Sequence, residues 1–152
     1  MRLRLDTQQR RLDELIELMD SLEDDMVKSH FSKYLCVRVS GYLENVIKTL
    51  IGSYIDKSCP AAVQTFVKNK IKNTTNLSVN KIVLFLENFD KEWASEFEAK
   101  LTDKMSETLN SVVSNRNQIA HGGHDNITPR IIKGYYEDVK EVVKILQEII
   151  KK

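Results

Sequence analysis

The sequence predicts an all-α protein, a bundle of four principal helices with shorter helices between the second and third of them. Three observations carry this. Apolar residues recur at steps of three and four along most of the chain, capping and turn residues separate those stretches, and no run alternates apolar with polar residues as a half-buried strand would. The 152 residues fit one domain, 1–152, long enough to bury a core without disulfides or metals.

Leu12, Leu15, Ile16, Met19, Leu22 and Met26 mark a first helix from about Asp6 to about Val27, with a charged opposite face. The stretch HFSKYLCVRVSGYLENVIKTLIGSYIDK follows. It carries Leu35, Val39, Tyr42, Leu43, Val46, Ile47, Leu50, Ile51 and Tyr54 on a band so wide that the helix must be touched from several sides. Pro60 then suits a helix start but not an interior, and Val63, Phe66, Val67 and Ile71 suggest a shorter third helix. The polar run KNTTNLS reads as a loop. Ser78 is placed to cap VNKIVLFLENF, and Asp90 to cap a short helix holding Trp93, Phe97 and Leu101. Thr102 caps the next helix, with Met105, Leu109, Val112, Val113 and Ala120 on its face, and Gly122 and Gly123 supply its left-handed stop. Thr128-Pro129 opens the last helix, whose apolar stripe runs from Ile132 through Tyr136, Val139, Val143 and Leu146 to Ile150.

Composition excludes more than it assigns. Hydrophobic residues at 41% and charged residues at 30% suit a soluble globule and fit neither a disordered nor a membrane chain. A formal net charge of +1 gives no global pull toward a polyanion, so any such contact needs a local basic patch. Cys36 and Cys59 lie among apolar neighbours with no paired ligand spacing and read as free buried thiols. MRLRLDTQQRR leads into an amphipathic stretch rather than an apolar core with a cleavage site. The expectation is a cytoplasmic protein with no membrane partner.

The informative stretch is SNRNQIAHGGHD, Ser114 to Asp125. At about 100° per residue, Arg116 falls near the middle of the apolar arc formed by Met105, Leu109, Val112, Val113, Ile119 and Ala120. A guanidinium keeps its proton, so that position is costly unless a carboxylate, a backbone acceptor or a ligand anion receives it. His121 follows on the last turn, where free carbonyls and the negative helix end favour an imidazolium that titrates near neutral pH. A fixed cation and a titratable proton carrier at one helix end suit phosphodiester chemistry without a metal, and Asn117 between them adds a donor and an acceptor. Periodicity alone leaves a second account open: a salt bridge for Arg116 inside the bundle and a plain cap at His121.

The stretch R-N-Q-I-A-H-G resembles the R-x-x-x-x-H signature, with a polar residue after the arginine, of the HEPN (higher eukaryotes and prokaryotes nucleotide-binding) superfamily. VRVSGYLENVIKTLIGSYI is similar to the S-A-x-x-E-x-x-I-x-x-L pattern of its RiboL-PSP-type branch, and ITPRIIKGYYEDVKEVVKIL resembles the closing helix of that branch. The likeness spans most of Val37 to Leu146, with the short motif its specific part. It implies an all-helical, typically dimeric protein that cleaves RNA without metal or other cofactor, in toxin-antitoxin, defence or RNA-processing settings. An antitoxin or neighbouring defence protein is then a possible partner. Arg116, Asn117 and His121 take over the motif roles, and Glu44 is the candidate acidic residue of the earlier helix. The alternative within the same resemblance is a non-catalytic dimeric interaction module or RNA-binding partner. HEPN toxins silenced by nucleotidylation carry a tyrosine two residues after the histidine. This chain has Gly123 there, so the likeness does not extend to that control.

Other constellations carry less. His121-x-x-His124 and His124-Asp125 offer too few ligands for a metal site. Glu23-Asp24-Asp25 reads as a solvated helix end, and Lys68, Lys70, Lys72 and Lys81 as a solvated lysine face that could also meet phosphates. Tyr42, Tyr135 and Tyr136 sit at core positions rather than as base-stacking platforms.

Overall fold

The computed structural model describes residues 2–151. Asp24 decides where the first two helices part. Helix α1 spans Arg2–Ser21 and α2 spans Asp25–Ser58, and the Asp24 carboxylate accepts the Val27 N–H at 3.0 Å as the N-cap of α2. The single helix expected through Val27 is therefore broken at Leu22, and Met26 lies on α2, 72% exposed, rather than on the buried stripe of α1. The acidic run is a helix start, where negative charge meets the positive end of the dipole.

Five further helices follow among the described residues: α3 (Ala61–Ile71), α4 (Val79–Glu87), α5 (Lys91–Lys100), α6 (Asp103–Ala120) and α7 (Pro129–Ile150). Helices α1, α2, α6 and α7 are the four principal ones, and α3, α4 and α5 lie between α2 and α6. No strand occurs in the described residues, and no helix is long and apolar enough to cross a membrane. The caps expected at Ser78, Asp90 and Thr102 form, each side chain accepting a backbone N–H from the first turn of its helix, and Thr128 caps α7 in the same way.

At 34 residues α2 is a rod about 51 Å long that packs against α1, α3, α6 and α7. Its wide band explains this position. Leu35, Val39, Val46, Ile47 and Ile51 are fully buried, and they meet Ile132, Val139, Val142, Leu146 and Ile149 of α7, also fully buried. Burying one such side chain contributes about 1.5–3 kcal/mol, so this seam supplies much of the driving force. The third helix departs from expectation. Val63 and Phe66 are 43% and 62% exposed, leaving Ile71 and the half-buried Val67 as its apolar anchors.

Polar ties fix how the helices pair. Thr108 of α6 donates to Asp138 of α7 at 2.6 Å, and both are buried. Tyr136 of α7 is buried with its hydroxyl 2.6 Å from Asp13 Oδ1 and 3.1 Å from the Gln9 carbonyl, locking α7 to α1. Burial first, and the Asp13 hydrogen bond second, hold its phenol well above the usual tyrosine range. The unfolded chain ionises Tyr136 near pH 10, so this contribution is present below that pH and is lost as pH rises above it. Tyr136→Phe should cost about 1–2 kcal/mol in urea unfolding at pH 7, and its stability should fall less than the parent's above about pH 10.

Candidate functional site

The end of α6 is closed by backbone geometry that matches the glycine signal. Gly122 adopts φ +69°, the Gly123 N–H reaches the Gln118 carbonyl at 2.8 Å, and the Gly122 N–H reaches that of Ile119 at 3.3 Å. His121 is the C-cap, its N–H bonded to the Asn117 carbonyl at 3.1 Å and its side chain exposed. Its imidazole faces solvent at the negative end of the helix.

The chain then folds back along α6. The buried Asn115 carboxamide accepts the Asn126 N–H at 2.8 Å and donates to the Ser111 carbonyl at 2.9 Å, pinning the loop. Asp125 ties the same loop to α2. One of its oxygens accepts the Ile127 N–H at 2.9 Å and the other lies 3.3 Å from the Lys33 ammonium, with the carboxylate side chain only 6% exposed. Asp125 thus closes a loop instead of pairing with His121 and His124 toward a metal. Among the described residues no three His, Cys, Asp or Glu side chains gather as metal ligands.

Arg116 lies on the buried face of α6, between Leu109 and Val112 in helical projection and alongside Thr108 and Asn115, the most buried residues of that helix, and it is itself half-buried. Its guanidinium Nη1 donates to the side-chain oxygen of Asn76 in the loop after α3. Asn76 has φ +55°, a left-handed conformation that asparagine tolerates better than other residues with a Cβ. Its own N–H donates to Glu44 Oε1 at 2.9 Å, and Glu44 is 8% exposed. Among the described residues Arg116 makes no ion pair.

The structure therefore joins Arg116 to Glu44 through Asn76, and places Asn117 and His121 beyond Arg116 on the same helix. Glu44 is neither a surface residue nor a direct partner of the arginine. Arg116 and His121 are five residues apart, which on a helix is about 7.5 Å along the axis and about 140° around it. They share no hydrogen bond, and the site is open at the helix end. Asn76 and Asn115 were not singled out in the sequence. The one signal was chemical: asparagines inside a polar loop and at a helix end, where their side chains replace backbone partners.

Cys36 lies behind the site, its Sγ 3.8 Å from the Val112 carbonyl. Burial first and Asp125 second push its thiol up to about 12, while the nearby Arg116 pulls the other way.

A family model described as RiboL-PSP-HEPN matches residues 6–152. No curated protein and no solved structure matches the chain.

Burial holds Cys36 as a neutral thiol at about pH 8, and only the thiolate is alkylated. Timed alkylation with iodoacetamide at that pH, read by mass spectrometry, should modify the half-buried Cys59 and leave Cys36 intact until denaturant is added.

Proposed function

The chain belongs to the RiboL-PSP-HEPN family, which includes ribonucleases and non-catalytic members, and from that premise we propose that it is a metal-independent endoribonuclease. The observation that carries this reading is the state of Arg116: a half-buried permanent cation on α6, held by a neutral amide and by no carboxylate. Its charge is left for a phosphate.

In this reading the ribose 2′-hydroxyl attacks the adjacent phosphorus, the P–O2′ bond forms and the P–O5′ bond breaks. The products are a 2′,3′-cyclic phosphate and a 5′-hydroxyl. His121 takes the 2′ proton or returns one to the leaving O5′, a role worth about 10²–10⁴ in rate. Arg116 neutralises the crowded phosphorane, worth about 10²–10³. Asn117 orients the phosphate or the imidazole. Glu44 and Asn76 position the guanidinium and touch no substrate. Two copies pair so that both α6 ends line one cleft, which fits a site that is open in a single chain.

One observation favours a non-catalytic dimeric module instead: Arg116 already has an acceptor in Asn76. Purified protein incubated with mixed RNA in EDTA decides. The parent should cleave RNA and spare DNA, and His121→Ala and Arg116→Ala should lose at least about 100-fold in rate with unchanged circular dichroism. A folded His121→Ala that cleaves like the parent would overturn the catalytic assignment.

A further inference from the structure

Two hollows adjoin along the outer face of α2 and share Asn45 as a common wall. The first, about 260 Å³, lies between α2 and α1, and the second, about 570 Å³, between α2, the start of α1 and the end of α3. Arg11 and Arg38 line the first, and Arg4, Lys48, Lys68 and Lys72 line the second. The one carboxylate is Asp56, paired with Lys68 at 2.5 Å. Five net positive charges thus line one groove of a chain whose total is +1. The two halves of this concentration come from three separate helices.

We infer that this groove is a second binding site, for the sugar-phosphate backbone of single-stranded RNA, and that it carries the strand on from the cleavage site proposed above, on which this inference rests. Length fits a strand. From Arg38 to Asp56 the α2 face extends about 27 Å. Position fits as well: Lys72 ends α3, four residues before the Asn76 that receives Arg116, and Asn45 follows Glu44 on α2. Gly41 and Gly52 present no side chain there and leave open space above the α2 backbone. Lys48 is steadied by a hydrogen bond to the Lys72 carbonyl at 2.9 Å, and Arg38 by Tyr34, whose hydroxyl it meets at 2.8 Å. Cations held in place lose less freedom on meeting a phosphate.

The test uses binding rather than cleavage, on the His121→Ala protein, with a fluorescent single-stranded RNA titrated at several salt concentrations. Arg11 and Lys72 are exposed, and their side chains make no hydrogen bond or ion pair among the described residues, so Arg11→Gln with Lys72→Gln leaves the fold intact. Each lost phosphate contact lowers the steepness of the log-log salt dependence by about 0.7, so this pair should lower it by about 1.4 and weaken binding by about tenfold or more. Lys91→Gln with Lys133→Gln, away from the groove, should change neither. Equal affinity and equal salt slope in the Arg11/Lys72 pair would overturn the inference, as would tight binding to phosphatidylserine vesicles with none to RNA. A protein that binds RNA through the groove but never cuts it would leave the groove standing and remove only the nuclease reading.

Discussion

A permanently charged guanidinium half-buried in a helical core needs an acceptor, and in this protein the acceptor is an uncharged one. Arg116 is held by the Asn76 carboxamide, and the buried carboxylate of Glu44 accepts the Asn76 backbone N–H. A direct ion pair would have fixed the side chain and cancelled its charge together. The amide fixes it and leaves the charge in place. The left-handed backbone at Asn76 serves this arrangement, because one residue turns its N–H toward α2 and its side-chain oxygen toward α6. The loop after α3 is thereby part of the site, although no residue in it does chemistry in the proposed reaction.

The rest of the bundle supplies what that interaction requires. α2 must lie beside α6 for Glu44 to reach the loop, and its broad apolar band is what holds it there against α1, α6 and α7 at once. Asn115 and Asp125 then keep the segment after α6 folded back on the helix, so that His121 remains at a defined, solvent-facing end. Buried polar groups of this kind cost stability unless every donor and acceptor is met, and here the bonds close the loop on both sides.

Much of the fold was legible in the sequence because it depends on local pattern. The α2 and α7 stripes, the side-chain caps at Ser78, Asp90 and Thr102 and the glycine stop after Ala120 are all statements about neighbours on one helix. The break between α1 and α2 was not, since Leu22 and Met26 continue the three-and-four spacing across it, and only the capping carboxylate of Asp24 ends the run. The exposure of Val63 and Phe66 was hidden for a similar reason: an apolar stripe does not say whether a partner covers it. In the site, the motif residues Arg116, Asn117 and His121 could be named from spacing and resemblance. Asn76 could not, because its contact crosses 40 residues of chain and depends on how three helices pack. The basic groove is invisible in the overall charge for the same reason.

The central claim is that a neutral acceptor keeps the Arg116 charge open to a phosphate, and Asn76→Asp tests it with almost no change of shape. The new carboxylate should pair with the guanidinium, leaving the melting temperature equal to or above the parent's while RNA cleavage falls by about 100-fold. An Asn76→Asp protein that melts like the parent and also cleaves RNA at the parent's rate would contradict the claim.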